Sequence, residues 1–422
     1  MVSGVANTAA YDIVIAGGGM VGASLALQLS HHSQQQLRIL VVENFPIATE
    51  ADAIPNYHST FDARTTALSY SSQLILQPLG VWPMLQQHFT SIDRIHVSER
   101  GRLGSTTLRP DDVNWPALGY VIENAWLGSV LLSALREKNN IEFLAPATVK
   151  NISPQQQGVK LTIEQDASEK IINAQLAVIA DGANSGLREQ LGIAAKVHSY
   201  QQTALIANVS FTKAHNGCAY ERFTDQGPIA LLPLNDSELG QPRAALVWSL
   251  PNTEAQYLCD CDQQEFLHRL QQRFGHRQGE FIRVGDRFSY PLTLIEAEEQ
   301  VRSGIVVMGN AAHSLHPVAG QGFNLALRDC ARLTQIVVKA YQNKQALGEL
   351  VLLQSYQQQQ QFDQQKTITF SDQLPTLFTR DQWPLSLLRG VGLGVLDIAP
   401  LLKTQFIHHA AGVHDGAATG HH

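Results

Sequence analysis

The stretch YDIVIAGGGMVGASLALQLS, residues 11–30, followed at residues 37–43 by LRILVVE, decides the fold. Its first six residues are an apolar run of strand length that ends in glycines, the pattern of a strand buried on both faces. Gly17–Gly22 is a glycine turn, Ala23–Ser30 places apolar residues at helical spacing, and Leu37–Glu43 is a second buried strand. Two parallel strands need a crossover helix between them, and about 30 residues is the size such a unit takes. The glycines stand as G-x-G-x-x-G. Gly17 allows the tight turn, Gly19 leaves the backbone open to a diphosphate, and Gly22 lets the helix lie close to the strand. Free N–H groups and the dipole at the helix N-terminus favour the anion. Glu43 ends the second strand, where an acid can accept hydrogen bonds from adenosine ribose hydroxyls and disfavours a 2′-phosphate. This unit predicts a dinucleotide site and leaves FAD and NAD both open.

Outward from it, the segment from Asn44 to Thr60 is polar and punctuated by prolines, and predicts a loop. Arg64 to Leu79 has a helical pattern. Asp93–Glu99 and Arg102–Leu108 predict a hairpin turned at Arg100-Gly101, and Leu127–Lys138 an amphipathic helix with Leu127, Val130, Leu131, Ala134 and Leu135 on one face. Strand patterns follow at Ile141–Leu144, Ala147–Ile152, Gly158–Gln165 and Gln175–Ala180. They dominate again from Gln202 to Leu250, where a separate antiparallel sheet is expected. Asp262–Phe274 is helical, Gly304–Met308 is a buried strand, and a long helix starts near Asn324. Val351–Gln365 is a glutamine-rich helix of the kind that usually presents a solvated face. Leu385–Leu402 is apolar but broken by Arg389, glycines and Pro400. Disorder is expected at the extreme N-terminus and after about Phe406.

The 422 residues exceed one ordinary domain, and 44% hydrophobic with 16% charged residues is the composition of a globular protein. A net charge of −7 with no basic run argues against a nucleic-acid partner. Cys218, Cys259, Cys261 and Cys330 contain no C-x-x-C pair, so buried or free thiols are expected and no metal site. Met1–Ala10 lacks the charged and apolar regions of a signal peptide, and no apolar run reaches the ~18–20 residues of a membrane span. A cytoplasmic protein follows, with peripheral contact to the inner membrane as an open expectation.

Two further motifs each close a buried strand. Asp181-Gly182 follows QLAVIA in the run A-D-G-x-x-S-x-x-R. Gly309-Asn310-Ala311-Ala312-His313 follows GIVVM and continues SLHPVAGQGFNLALRD. With these three motifs in this order, the chain from about Tyr11 to Leu402 resembles the group A flavoprotein aromatic hydroxylases of the p-hydroxybenzoate hydroxylase type. The segments RIHVSERG, ANVSF, YERFTDQGPIALLP and GNAAHSLHPVAGQGFNLALRD are similar to those of its ubiquinone-biosynthesis subgroup.

The resemblance implies FAD as cofactor and NAD(P)H as a transient co-substrate without a nucleotide fold of its own. In this family NAD(P)H reduces the flavin, O2 gives a C4a-hydroperoxyflavin, and its distal oxygen passes to an electron-rich phenol. It further implies that Gly17, Gly19, Gly22 and Glu43 hold the ADP half. Arg64 contacts the flavin, and Asp181 and Gly182 shape the diphosphate region. Gly309 and Asn310 contact the diphosphate and ribityl chain. The amides of Gly320, Gln321 and Gly322 lie near the isoalloxazine, and Asn324 is grouped with them. The family has Asp where this chain has Asn310. Asn can still bond the ribityl hydroxyls but removes one negative charge.

At the substrate end the candidates are His316, Pro317 and Tyr220, with Pro317 at the ring face and His316 as a proton-handling group. Tyr220 has packing as its plainer role, Arg222 has pairing with a local acid, and His313 has orienting the loop before the long helix.

The expected fold is α/β: a Rossmann-like FAD-binding domain interleaved with an antiparallel-sheet substrate domain, plus C-terminal helices. Residues 1–75, 116–195 and 296–345 are assigned to FAD binding, 76–115 and 196–295 to the substrate domain, and 346–422 to a helical region and tail. The expected partners are a prenylated phenol and O2, with membrane contact through Leu385–Leu402, association with other ubiquinone-biosynthesis enzymes and homo-oligomerisation all open. A hydroxylase of a small soluble phenol and a non-catalytic FAD-binding subunit are the competing functions.

Overall fold

The computed structural model describes residues 10–46, 64–101, 104–237, 239–315, 321–379 and 400–413. Five parallel strands form the centre of an eight-stranded sheet, in the order Ile305–Val307, Ser168–Ile179, Ala10–Ala16, Ile39–Val42 and Ile141–Leu144. Side chains alternate across a strand. Ile13 and Ile15 therefore pack on one face, with Leu25 and Leu29 of helix Met20–His32, Leu127 and Val130 of helix Asn124–Arg136, and Leu333 and Val337 of helix Gln321–Gln342. Val14 and Ala16 turn to the other face, against Leu161 and Ile163 of the antiparallel strands Thr148–Pro154 and Val159–Gln165. Each fully buried aliphatic side chain contributes about 1.5–3 kcal/mol.

The second sheet has nine strands. Its main path runs His313–Ser314, Phe288–Ala297, Ala195–Phe211, Arg243–Pro251, Gly227–Leu234, Cys218–Thr224, Arg94–Glu99 and Ser105–Leu108, and Phe281–Val284 pairs beside Ala195–Phe211. It is not wholly antiparallel as expected: Cys218–Thr224 runs parallel to Arg94–Glu99. The predicted hairpin, Arg94–Glu99 with Ser105–Leu108, joins the sheet's edge from far earlier in the chain, so its direction is not set by a hairpin turn to its neighbour.

One face of this sheet packs Leu246, Trp248 and Ile229 against Leu258 of helix Asn252–Asp260 and Phe266, Leu270 and Phe274 of helix Gln263–Phe274. The opposite face packs Ala219, Ala245 and Leu234 against Val121 and against Ile407 of helix Pro400–Ala411. A three-stranded sheet of Thr65–Ser69, Gly119–Glu123 and Phe89–Ile92 lies between the two large sheets.

Three expectations change. The helix expected from Arg64 to Leu79 opens as strand Thr65–Ser69 and becomes helical only at Tyr70–Leu76. The strand pairs with Gly119–Glu123, and two adjacent threonines suit a ladder better than a helix. The glutamine-rich helix extends over Leu350–Thr379, and its inner side is buried at Gln360, Asp363 and Gln364. Beyond Phe406 the chain continues as helix to Ala411. Of Leu385–Leu402, residues 385–399 lie outside the described residues. No described helix is long and apolar enough to cross a membrane. All four cysteines are free, with Cys218 and Cys330 buried.

Candidate active site

The three sequence motifs sit at the carboxyl ends of adjacent parallel strands, where open α/β sheets bind their ligands. Backbone bonds carry the pairing up to the motifs: Gly17 N donates to Val42 O at 2.8 Å, Ala180 N to Ala16 O at 2.8 Å, and Met308 N to Ile179 O at 2.9 Å. Gly17 has φ +111°, outside the range of ordinary side chains, and an added Cβ would strike the Ala180 carbonyl. A Cβ on Gly22 would strike the Gly17 carbonyl oxygen. Around a Cβ on Gly19 there is nothing within 4 Å. The first two glycines thus close the fold, and the third leaves a space.

Gly19 is also the N-cap of helix Met20–His32 and supplies no side-chain cap, so the first-turn N–H groups face that space uncapped. Glu43 sits beside it. Its Oε2 accepts from Gly18 N at 2.7 Å and its Oε1 from Phe45 N at 3.0 Å, which fixes the carboxylate while lone pairs remain for a ligand. Gly17, Gly19, Glu43, Asp181 and Gly182 border an open cleft of about 800 Å³, within the roughly 300–1,000 Å³ of ligand pockets. An uncapped helix terminus, a side-chain-free approach and an acid in one cleft fit the ADP half of FAD.

The second motif is tied to the third. Ser185 caps helix Gly186–Gln190 by accepting from Arg188 N at 3.0 Å, and the buried Arg188 reaches across to donate to Ala311 O at 2.9 Å. Asp181 accepts from Leu187 N at 3.4 Å. Burial pushes its carboxyl above the usual range, opposed by Ser185, Leu187 and Arg188. Gly309 and Asn310 begin a 3₁₀ turn, and Asn310 is exposed. At the end of the turn, His313 Nε2 lies 2.7 Å from Asp329 Oδ2, with each side chain 1% exposed. His313 therefore anchors the turn to helix Gln321–Gln342. His316, Pro317 and Gly320 lie outside the described residues.

A second, smaller cavity of about 120 Å³ lies between the sheets. Ile92, Ile95, Leu108, Leu232 and Ile407 make it largely apolar, and Gln321 and Asn324 border it. Gln321 Nε2 donates to Ala410 O at 2.9 Å, which holds the C-terminal helix over it. Gly322 is half-buried in the first turn of the same helix. Both polar atoms of Asn324 are engaged: Nδ2 donates to Ala67 O, and Oδ1 accepts from Ser69 N and Ser72 Oγ. That side chain ties the helix to strand Thr65–Ser69. Arg64 is exposed and donates to Tyr290 OH at 3.2 Å, bridging toward the nine-stranded sheet.

Tyr220 borders the cavity, but its ring packs on the far face of the sheet, T-shaped to Phe274 at 5.8 Å and tilted against His96 at 5.8 Å. Burial, then contact with Cys218, raises its phenol far above the ordinary value, so it stays protonated at neutral pH. Arg222 makes no ion pair with a described acid. Burial and the nearby Arg277 and Arg100 instead lower its pKa. The residue facing the cavity is Glu221, which sequence reasoning passed over. Its only legible sign was an acid standing between Ala219 and Phe223, apolar residues at the same alternation.

Comparison with known proteins agrees with this geometry. The model of the FAD binding domain family matches residues 10–371. A ubiquinone hydroxylase, UbiL, of Rhodospirillum rubrum is 32% identical over 401 residues, 95% of this chain and 89% of that protein. The 3-demethoxyubiquinol 3-hydroxylase of Escherichia coli is 29% identical over 403 residues, 95% of this chain and 98% of that protein. Among solved structures, p-nitrophenol 4-monooxygenase of Pseudomonas putida superposes with a TM-score of 0.72 at 16% identity, covering 96% of this chain and 99% of that one. At that identity the likeness concerns the fold.

Proposed function

The chain belongs to the FAD binding domain family, and from that premise we propose that it hydroxylates the aromatic ring of a prenylated phenol in ubiquinone biosynthesis. It is an FAD-dependent monooxygenase. When bound, the flavin supplies the redox chemistry, drawing electrons from NAD(P)H and activating O2. The observation that carries the substrate reading is the pairing of the open ADP cleft with an apolar cavity bordered by Gln321, beside the motif implied to hold the isoalloxazine.

The chain's own residues divide the work. Gly17, Gly19 and Gly22 shape the diphosphate approach, Glu43 takes the ribose, and Arg188 holds the second and third motifs in one register. Ile95, Leu108 and Leu232 exclude water from the ring. The run ERFTDQGPIALLP, with Asn310, most resembles 2-octaprenyl-6-methoxyphenol hydroxylases, which supports a substrate of that kind.

One observation favours a smaller substrate. About 120 Å³ is close to the roughly 150 Å³ at which an engineered apolar cavity takes up benzene, so it seats a ring without a long tail. A prenyl chain must then leave past helix Pro400–Ala411.

The test is the purified protein's visible spectrum, then NADH or NADPH in air with a prenylated phenol, and separately with its unprenylated head. Flavin bands and a prenylated product carrying one more oxygen atom bear out the proposal. Hydroxylation of the head alone selects the small-phenol reading. Flavin bands with only peroxide mean that the phenols offered are the wrong ones, and flavin bands without O2-dependent NAD(P)H oxidation in the presence of every phenol select a non-catalytic FAD subunit.

A further inference from the structure

Strand Cys218–Thr224 crosses the floor of the 120 Å³ cavity. Ala219 packs on the cavity side with Ile407 and Leu234, and Tyr220 packs on the far side with Phe274. Alternation then turns Glu221 to the cavity side, and it lines the cavity. The other polar groups there are engaged: Gln321 with Ala410, Asn324 with Ala67, Ser69 and Ser72, and Ser69 Oγ with Ser71. Glu221 has no hydrogen-bond or ion-pair partner among the described residues. A carboxylate left unpartnered in an apolar cavity is costly to the fold, and a group that completes it is what such a site selects.

We propose, building on the hydroxylase reading, that Glu221 is the catalytic residue that binds the substrate's phenolic hydroxyl and takes its proton. The phenol O–H bond breaks, its electron pair stays on oxygen, and the proton moves to a Glu221 carboxylate oxygen. The resulting phenolate raises electron density on the ring that receives the oxygen atom. When the product's hydroxyl forms, the proton returns and the carboxylate is restored.

Glu221 is half-buried, and desolvation pushes it up to about 7, with no charged neighbour among the described residues contributing. Charged and titratable groups described on the surrounding elements are engaged with other partners. Lys403 pairs with Asp112 at 3.0 Å, Arg243 with Glu123 at 3.4 Å, and Arg328 with Asp363 at 2.7 Å. Lys366 lies over the Phe362 ring, His408 stacks on Trp115, and Arg277 donates to His96 Nε2 at 2.9 Å on the far side of the strand. Glu221 thus passes from neutral to ionised as pH rises through about 7, and the ionised form is the base.

Two measurements on the holoenzyme test this. The first, on oxidised protein without NAD(P)H, compares binding of a phenol and its methyl ether, which cannot donate. Wild type should prefer the phenol about tenfold or more, the scale of a hydrogen bond to a charged group, and Glu221→Leu should lose that preference. The second is kcat/KM against pH. Wild type should rise through about 7, while Glu221→Gln, similar in shape, should be flat there and slower by roughly 10²–10⁴. Unchanged preference in the leucine variant, or a wild-type profile in the glutamine variant, overturns the assignment. If wild type shows the binding preference yet hydroxylates no phenol, the hydroxylase reading fails, and the base role falls with it while the hydroxyl-binding role stands.

Discussion

At the level of single residues, the three glycines of the first motif differ in what they would lose. Gly22→Ala puts a methyl group on the Gly17 carbonyl and should lower the unfolding temperature of the apoprotein as well as empty it of flavin. Gly19→Ala meets no protein atom, so it should leave the apoprotein's unfolding unchanged and weaken FAD alone, as read by flavin titration. The glycine pattern was legible in the sequence because its reasons are local. Glu221 was not, because which face of its strand is covered by helix Pro400–Ala411 is decided far away in the chain. Glu221 also makes a stability prediction. Folded, it keeps its proton up to about 7; unfolded, it loses it near 4.5. The folded state therefore binds more protons between those values, and stability falls as pH rises through that window. Glu221→Gln should unfold at higher urea than wild type at pH 8, and the gap should close as the pH drops below about 4.5.

Among the secondary-structure elements, the first β-α-β unit appeared in sequence almost as it is in space, since period and turn chemistry agreed there. The segment from Arg64 misled because its strand exists only through pairing with Gly119–Glu123. The glutamine-rich helix misled for a related reason. Its polar side chains are buried because they bond buried partners: Gln364 donates to Asp329 at 3.2 Å, and Asp363 takes Arg328 at 2.7 Å. Asp329 in turn holds His313, so two helices and the Gly309–Ala311 turn share one buried network. Removing one member strands the others. His313→Ala and Asp329→Ala should each destabilise by about 2–4 kcal/mol, and the double variant by less than the sum, with a coupling of about 0.5–3 kcal/mol in urea unfolding.

For the molecule as a whole, the α/β architecture and the C-terminal helices followed from the order of motifs and strands, whereas the function of the final helix did not. Pro400–Ala411 is short and bears little pattern of its own, but it closes the cavity through Ile407, Ala410 and Ala411 and is pinned by Gln321, Thr404 and Lys403. A chain ending at residue 399 should keep its flavin bands and release more peroxide per NAD(P)H consumed, because water gains entry to the cavity. An unchanged ratio of product to NAD(P)H would assign the helix to stability alone. The order of strands has a separate consequence, for biosynthesis. In the parallel sheet, Ser168–Ile179 is flanked by Ala10–Ala16 on one side and Ile305–Val307 on the other, with the long strands of the second sheet lying between them in the chain. On the ribosome, Ser168–Ala174 can pair at once with Val159–Gln165, but the edge beside Ala177–Ile179 stays open until residue 307 emerges, so the nascent chain must carry a short unpaired apolar edge while the strands from Ala195 to Ala297 are being made.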